Sequence, residues 1–245
     1  MKKGSFRIAL YGDSLALPRK DVVSYQERYF YIIQKHLKEQ NFAEVWEVKD
    51  RAKGAIVISE IVEQYNHDNG YFDLPGDIII IHSGVVDCAP RPINQQVRGK
   101  ISKLPSMIKK IVVNYIHKNR SKILQGGKSY VRTEPDVFFK QMTDLVTDAS
   151  LNYNRVYVIN ICPTNKQTEA HSPGFTTNID KYNRLIAKIV EESKNSNVHL
   201  IDINKFIMER FDNIDEYVLK VDGHHITPLT NSVIADQILR IENAS

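Results

Sequence analysis

The N-terminal part of the chain reads Phe6-Arg7-Ile8-Ala9-Leu10-Tyr11-Gly12-Asp13-Ser14-Leu15. Its first six residues are mostly apolar and predict a strand, and the Gly-Asp pair that follows is typical of a turn. A serine just past a strand, where the chain turns into a helix, projects its hydroxyl at the carboxyl edge of a sheet. Helix N-terminal N–H groups lie beside it there. This placement suits a side chain that attacks an ester.

A second motif, Asp222-Gly223-His224-His225, lies near the other end of the chain. The carboxylate stands three residues before the second histidine, so one short turn lets Asp222 hold one ring nitrogen of His225 while the other nitrogen faces Ser14. The motif therefore supplies a base and the acid that orients it. Adjacent residues do not share a face, so His224 points elsewhere and a metal site built on both histidines is disfavoured.

Together these two strings resemble the first and last motif blocks of the GDSL/SGNH hydrolase family. Members of that family carry the serine block right after the first strand and the Asp-x-x-His block just before the last helix. The resemblance implies that Ser14, Asp222 and His225 form a catalytic triad, acting without a metal ion or an organic cofactor. A motif match of this kind needs its structural context to be confirmed.

The family's second block contributes a glycine after the second strand, whose N–H helps to bind the oxyanion. Arg51-Ala52-Lys53-Gly54 is the matching stretch, and the resemblance makes Gly54 the matching residue. A close approach of the backbone to the substrate would explain a glycine there. The alternative is that Gly54 merely starts the following helix.

The third block departs from the family pattern. Family members usually read Gly-x-Asn-Asp, with the asparagine amide as an oxyanion donor, whereas this chain reads Gly84-Val85-Val86-Asp87. The resemblance places Gly84 and Asp87 in the oxyanion and substrate region, but Val86 cannot donate a hydrogen bond. Removal of one oxyanion donor typically costs about 3–4 kcal/mol of transition-state stabilisation. Either another group supplies the bond, or catalysis is weak, or the site has another use.

Arg91 is the first candidate for the replacement donor, because it is always charged, rich in donors and follows the third strand on a proline-stiffened loop. It could instead bind an anionic portion of the substrate, or pair with Asp87. Asn160 and Asn165, around the end of the fourth strand, are weaker candidates. His82 ends the third strand and either lines the pocket or is a hydrogen-bonded core residue.

Short β-rich runs alternate with longer helical patterns along the chain, which favours parallel βαβ units. The predicted strands are 6–11, 45–50, 77–82, 155–161 and 198–203. The predicted helices are 25–38, 55–65, 105–119, 135–149, 179–193 and 228–242. We infer an α/β fold with three layers and a doubly wound, five-stranded parallel sheet, for which the family implies the flavodoxin-like strand order. Residues 1–245 are predicted to form a single domain of this kind.

The bulk composition permits this interpretation. The chain has 245 residues, of which 42% are hydrophobic and 25% charged, as expected of a globular protein with a sizeable core. No apolar run approaches the ~20 residues needed to span a bilayer, and Met1-Lys2-Lys3 leads into a short strand rather than a signal peptide. We therefore expect a cytoplasmic location. Cys88 and Cys162 are expected to be buried free thiols.

A basic helical insertion is predicted around residues 95–133, because no acidic residue occurs between Asp87 and Glu134 while lysine and arginine accumulate. Within it, apolar residues from Leu104 to Ile116 recur with helical spacing, which predicts a helix with a buried apolar stripe and a cationic face. This helix is either a solvated surface element or a cationic rim that attracts phosphorylated or carboxylated substrates or an anionic membrane. Gln125-Gly126-Gly127-Lys128 is expected to be a loop.

These features favour a serine ester hydrolase. The resemblance makes O-acetylated carbohydrates and lipid esters the leading substrate classes, and the polar rim loops favour a sugar ester or another small ester, with an anionic substrate as an option. An O-acyltransferase, a lysophospholipase and a non-catalytic binding module remain as alternatives. Nucleic acid is not expected as a partner, because no binding motif accompanies the basic residues, and contact with a membrane surface is the less favoured option.

Overall fold

Five parallel strands form the centre of the protein, in a computed structural model that describes residues 4–40, 43–71, 76–127, 129–210 and 213–244. The strands are listed in chain order: β1 (Ser5–Gly12), β2 (Val45–Asp50), β3 (Gly76–His82), β4 (Tyr153–Ile159) and β5 (Val198–Ile201). They lie in the order β2-β1-β3-β4-β5, and each neighbouring pair is parallel. The predicted α/β fold with a flavodoxin-like strand order is thus confirmed.

The helices follow the strands along the chain. They are α1 (Tyr29–Gln40), α2 (Ile58–Tyr71), α3 (Val85–Cys88), α4 (Gln95–Ser102), α5 (Ser106–Lys118), α6 (Arg120–Gln125), α7 (Pro135–Asn152), α8 (Lys166–His171), α9 (Phe175–Ser193), α10 (Ile203–Met208) and α11 (Pro228–Asn243). The sequence missed α3, α4, α6, α8 and α10, because elements of four to eight residues span too few turns to show a helical period.

Several predicted boundaries were wrong, among them the start of α9 at Phe175 and the end of β5 at Ile201, and two others have local reasons. The helix expected over 25–38 is divided into a 3-10 turn at Tyr25–Glu27 and α1, because Arg28 between them is extended, with φ −69° and ψ 138°. The helix expected from residue 55 begins only at Ile58, since Ala55 has φ +60° and cannot be helical.

Helices cover both faces of the sheet and divide the core into two. One cluster joins the sheet to α2, α7 and α9, and the other joins it to α1, α10 and α11. The isoleucines of β3 alternate between them: Ile79 and Ile81 belong to the first cluster, whereas Ile78 and Ile80 belong to the second. A central strand buried on both faces explains this continuous apolar run, and such covered sheets collect functional groups at the carboxyl ends of their strands.

The structure corrects the prediction for α5. None of its side chains is buried, and Met107, Ile111 and Tyr115 are 76%, 65% and 64% exposed. The predicted apolar stripe therefore lies largely at the surface, with the lysines beside it. Amphipathic spacing shows that one face of a helix is apolar but does not show that another element covers that face. Lys128, part of the predicted loop at 125–128, lies outside the described residues.

Among the described residues, no helix is long and apolar enough to cross a bilayer. Cys88 and Cys162 are both buried and free, as expected, and burial raises the pKa of each thiol.

Candidate active site

Ser14, His225 and Asp222 form a continuous hydrogen-bonded chain, although 211 residues separate the serine from the histidine. The Nε2 atom of His225 lies 3.0 Å from the Ser14 hydroxyl oxygen. Its Nδ1 atom lies 2.8 Å from Oδ2 of Asp222. An ionised carboxylate accepts, so Nδ1 carries a hydrogen and Nε2 of the neutral ring is free to accept from the serine. This is the arrangement in which a histidine activates a hydroxyl as a nucleophile.

Ser14 takes its position from the end of β1. The strand ends at Gly12, and Ser14 opens a short 3-10 turn whose first N–H groups are capped by Asp13, with Leu15 N–H donating to Oδ1 at 2.9 Å. A Cβ on Gly12 would lie 3.1 Å from both the His82 carbonyl oxygen and the Ala16 Cβ. A residue larger than glycine would therefore push the turn away from β3.

Asp13 has a role that the sequence analysis did not assign. Its Oδ2 atom accepts hydrogen bonds from the backbone N–H groups of Gly84 and Val85, at 3.1 and 3.2 Å. Burial raises the pKa of Asp13 to about 7, although the bonds from Leu15, Val85 and Gly84 act in the opposite direction. The carboxylate thus joins the loop after β1 to the loop after β3.

The segment that carries Asp222 and His225 is held by the loop after β4. The Gly223 carbonyl oxygen accepts from Asn165 N–H at 3.0 Å and from the Thr164 hydroxyl at 2.8 Å. Gly223 has φ +63°, and a Cβ there would lie 2.1 Å from the side-chain oxygens of Asn165 and Thr168. Glycine at this position is required both by the backbone conformation and by the close contact. The next helix, α11, begins three residues after His225, capped by Thr227.

Electrostatics keep the carboxylate of this segment ionised. Partial burial acts to raise the pKa of Asp222, but hydrogen bonds and charge interaction with His225 outweigh it and hold the pKa well below its usual value. His224 lies beside this pair, and its Nδ1–H donates to the Asp222 carbonyl oxygen at 2.7 Å. Burial and the neighbouring His225 lower the pKa of His224 to about 4. His224 is therefore neutral near pH 7 and braces the segment.

Two backbone N–H groups are free to receive an oxyanion. Among the residues described, neither the N–H of Ser14 nor that of Gly54 has a hydrogen-bond partner. Gly54 is exposed and lies in the loop after β2, where the adjacent Lys53 N–H binds the Gly12 carbonyl oxygen at 3.0 Å. Because α2 begins at Ile58, the alternative that Gly54 starts this helix is wrong. A Cβ at Gly54 would make only an ordinary 3.7 Å contact with Leu17, so the fold itself does not demand glycine there.

Other predicted site residues have structural roles instead. The N–H of Gly84 is already bound to Asp13, and Gly84 is buried with φ +127°. Asp87 is fully buried, and its Oδ1 atom accepts from Ile58 N–H at 3.1 Å and the Thr133 hydroxyl at 2.5 Å. The Gly84 N–H and the Oδ1 atom of Asp87 are thus engaged inside the protein, whereas Oδ2 of Asp87 is buried without a partner among the described residues.

The asparagines considered as replacement donors are occupied as well. The Asn160 amide donates to Asp202 at 2.7 Å, and that of Asn165 donates to Asp215 at 3.1 Å. His82 is a core residue, as its alternative interpretation held: it is fully buried, with Nδ1 3.2 Å from the Tyr29 hydroxyl. Burial lowers the pKa of His82 to about 3.

Arg91 lies in a different environment from the one predicted. Its backbone pairs with Tyr130, and its side chain lines a cavity of about 750 Å³ that contains none of Ser14, Asp222 and His225 in its wall. Burial and the neighbouring Arg120, Arg132 and Arg98 lower its pKa. In the described part of the chain, Arg91 forms no ion pair with Asp87. This position does not support the role of replacement oxyanion donor.

Arg19 is a residue of the site that the sequence analysis missed. Its Nη2 atom donates to the Ser14 carbonyl oxygen at 3.2 Å, and its Nε atom is buried without a partner among the described residues. Burial lowers the pKa of Arg19, while charge interactions with Asp222 and Asp13 act in the opposite direction. Arg19 thus brings a positive charge beside the serine. The only sequence indication was a charged residue five positions after Ser14.

The described residues contain one group with the composition of a metal site: Asp222, His224 and His225 have potential ligand atoms within 4.8 Å of one another. The hydrogen bonds argue for a different use. Both ring nitrogens of His225 and Nδ1 of His224 are engaged, and Oδ2 of Asp222 faces His225. A metal ion would have to break the contact between His225 and Ser14 or that between His225 and Asp222.

Comparison with solved structures identifies the fold, whereas no family model and no curated protein matches the sequence. A lipase/acylhydrolase from Enterococcus faecalis is similar with a TM-score of 0.64 and 14% identity, covering 96% of this chain and 94% of that one. An acetylxylan esterase from Geobacillus stearothermophilus is similar with a TM-score of 0.61 and 15% identity, covering 98% and 95%. An α/β hydrolase from the metagenome of Lake Arreo, Spain, is similar with a TM-score of 0.60 and 13% identity, covering 98% of this chain and 95% of that one. The chain therefore has the SGNH hydrolase fold, as predicted from its two motifs.

We expect Asp222→Asn to abolish the orienting charge while preserving the shape of the segment. Activity on an aryl acetate should fall by roughly 10³- to 10⁴-fold, because an amide favours the wrong tautomer of the histidine. The depressed pKa of Asp222 stabilises the folded protein above the unfolded carboxyl pKa of about 3.9, and this contribution is lost as the pH falls further. Urea unfolding should thus show a difference between the variant and the parent near pH 7 that shrinks below about pH 4. A difference that is independent of pH would contradict the ionised carboxylate.

Gly223→Ala should displace the segment that holds Asp222 and His225. The left-handed backbone and the contacts with Asn165 and Thr168 cost on the order of 1–3 kcal/mol for an added Cβ. We expect esterase activity to fall at least about tenfold, with a lower melting temperature. Gly99→Ala, where a Cβ meets nothing within 4 Å, is the matched control and should retain activity. Equal activity of the two variants would show that the segment tolerates displacement.

Proposed function

We propose that this protein is a serine ester hydrolase. The observation that carries the proposal is the unbroken hydrogen-bonded chain from Asp222 through His225 to the hydroxyl of Ser14. The SGNH hydrolase fold supports it, since the structurally similar proteins include a lipase/acylhydrolase and an acetylxylan esterase. The same geometry disfavours a non-catalytic binding module, because a binding surface has no need for a polarised serine.

In the proposed mechanism, the Ser14 hydroxyl oxygen attacks the ester carbonyl carbon while Nε2 of His225 takes the hydroxyl proton. The imidazolium that forms is stabilised by the carboxylate of Asp222. His225 then gives the proton to the leaving alcohol oxygen, and the ester bond breaks to leave an acyl-serine. Water, deprotonated by the same histidine, releases the acyl group as a carboxylic acid and regenerates the serine.

The tetrahedral oxyanion needs donors other than the missing asparagine. The free N–H groups of Ser14 and Gly54 are the proposed donors, and the positive charge of Arg19 is the proposed compensation for Val86. Arg19 reaches the carbonyl oxygen of Ser14, so it also fixes the backbone that carries one of those N–H groups. A preorganised charge of this kind acts mainly on the transition state.

A short acyl ester of a carbohydrate is the favoured substrate class. Polar and charged groups adjoin the proposed site, since Arg19 donates to the Ser14 carbonyl oxygen and the ring of His224 lies beside that of His225. An O-acyltransferase would use the same residues and differ only in passing the acyl group to a sugar hydroxyl instead of to water. A lysophospholipase is favoured by one observation, the exposed apolar side chains Met107, Ile111 and Tyr115 on the basic helix α5.

Ser14→Ala should abolish hydrolysis of a short-chain aryl acetate and prevent labelling by a fluorophosphonate probe, because the variant lacks the attacking oxygen. Far-ultraviolet circular dichroism should be unchanged. His225→Ala should lose as much hydrolytic activity as Ser14→Ala, since removal of either member of one catalytic unit disables the whole unit. His224→Ala removes one bracing hydrogen bond worth about 1 kcal/mol and should lose only about fivefold. Labelling of the Ser14→Ala protein at the rate of the parent would refute the proposed nucleophile.

Arg19→Gln tests the compensation for Val86. We expect kcat to fall by about 10- to 100-fold with a smaller change in KM, because a charge that stabilises the developing oxyanion acts mostly in the transition state. Arg19→Lys should recover part of the loss. Arg91→Gln is the matched control, and its kcat on a neutral aryl acetate should stay within about twofold of the parent. A larger loss of kcat in Arg91→Gln than in Arg19→Gln would contradict the role of Arg19 and favour Arg91 as the oxyanion donor.

A further inference from the structure

A cavity whose charged wall residues are mostly cationic lies beside the loop after β2. Its volume is about 750 Å³, within the range of small-molecule sites. Five cationic side chains and a single carboxylate, that of Glu60, are in its wall. The cations come from separate segments of the chain and are Arg91, Arg98, Lys109, Arg120 and Arg132. Because five short segments between β3 and α7 contribute them, the convergence depends on tertiary structure.

The five cationic side chains of this cavity outnumber its single carboxylate, that of Glu60. Across the described ranges, none of the four arginines forms a salt bridge. Within the same ranges, Glu60 forms no salt bridge with them either, and its Oε2 atom accepts from the Val57 N–H at 3.0 Å. Like charges in a partly buried space repel one another, and the pKa of Arg91 is lowered first by burial and then by the neighbouring guanidinium groups. A bound anion would remove this repulsion.

The hydrogen-bond donors in the cavity fall into two groups. Arg120 is held by the Ser172 hydroxyl and the Pro90 carbonyl oxygen, and Arg132 by the Ala55 carbonyl oxygen. The side chains of Arg91 and Arg98 form no hydrogen bond within the described chain, and the Nε atom of Arg91 is buried without a partner. The first group therefore builds a fixed wall, and the second leaves guanidinium donors free for a ligand.

The loop after β2 carries the proposed oxyanion donor Gly54 and also contributes to the cavity wall. Arg132 binds the carbonyl oxygen of Ala55, the residue next to Gly54, and Val57 of the same loop lies in the cavity wall. A molecule whose ester lies at Ser14 and Gly54 could thus extend along this loop into the cavity. A carboxylate has two oxygens and one charge, whereas a phosphate has three free oxygens and up to two charges. Several arginines around one space suit the phosphate better.

We propose that the cavity lined by Arg91, Arg98 and Lys109 binds a phosphate group of the ester substrate, so that the preferred substrate is a phosphorylated acyl sugar or a similar phosphorylated ester. This inference rests on the proposed ester hydrolase function for its substrate part. The binding of phosphate itself can be measured without catalysis.

The binding experiment uses inorganic pyrophosphate, titrated calorimetrically into the full chain at low ionic strength. We expect saturable binding, and a rise in melting temperature of roughly 5–10 °C at a hundredfold excess over Kd. Arg98→Gln, which removes a free guanidinium, should weaken binding by about tenfold or more. Lys109→Gln should weaken it by about threefold. Lys110→Gln is the matched control, because Lys110 is the next residue on the same exposed helix but is not in the cavity wall.

The kinetic experiment compares an acetylated glucose phosphate with the matching acetylated methyl glucoside. We expect the parent to prefer the phosphorylated ester by about tenfold in kcat/KM, with the preference shrinking as salt approaches physiological strength, where the screening length is about 8 Å. The preference should disappear in Arg98→Gln and persist in Lys110→Gln. Persistence in that control separates a defined site from general attraction by a basic surface.

Three results would overturn the inference: no pyrophosphate binding at low salt, equal weakening by Lys110→Gln and Arg98→Gln, or no preference of the parent for the phosphorylated ester. Failure of the function gives a different pattern. If no ester is hydrolysed while pyrophosphate binds and Arg98→Gln weakens that binding, the phosphate site is supported and the ester hydrolase proposal is refuted.

Discussion

The buried carboxylate of Asp13 fixes the geometry on which the rest of the site depends. It accepts three backbone N–H groups, those of Leu15, Gly84 and Val85, and so connects the turn after β1 to the turn after β3. A fully buried carboxylate is costly unless its oxygens are paired, and here the pairing comes entirely from backbone groups of two adjacent loops. Ser14 follows Asp13 directly, so these hydrogen bonds also fix the backbone that carries the serine hydroxyl.

The segment with Asp222 and His225, at the other end of the hydrogen-bonded chain, is held by close contacts and hydrogen bonds of an uncharged residue, Gly223. Gly223 lies against Asn165 and Thr168, so the loop after β4 holds the segment that carries Asp222 and His225. The turn that carries Ser14 is bound to the loop after β3, and the segment that carries Asp222 and His225 is bound to the loop after β4. This mutual support explains how a 3.0 Å contact between side chains 211 residues apart can be maintained without a disulfide or a metal ion.

Two kinds of positive charge surround this edge and have different surroundings. Arg19 lies against the serine backbone and interacts with the carboxylates of Asp13 and Asp222. Arg91 and its neighbours have no carboxylate to balance them, apart from the engaged Glu60. In the first arrangement, carboxylates lie near enough to the arginine to act on its pKa. In the second arrangement, the guanidinium groups form no salt bridge among the described residues. This excess of positive charge is the basis for the proposal that the cavity binds a phosphate.

The sequence by itself determined the fold and the three residues of the hydrogen-bonded chain. The central run Ile78–Ile81 predicts a strand covered on both faces, as in parallel α/β sheets. The strand order and the catalytic triad were predicted from the resemblance of the two motifs to the SGNH hydrolase family. Strand runs and the three-residue spacing of Asp222 and His225 are local properties, so a linear sequence records them.

Tertiary structure alone decided the environment of the remaining polar groups. Asp87 and Gly84 matched a family motif, yet Oδ1 of Asp87 is bound to Thr133 and Ile58, and the Gly84 N–H is bound to Asp13. Arg91 shares a strand end with the site but faces a cavity made by other arginines, and α5 keeps an apolar face that no described element buries. The physical reason is that the role of a charge or a hydrogen-bond donor depends on the groups that it contacts. These groups come from segments tens of residues away, and their approach leaves no periodic pattern in the sequence.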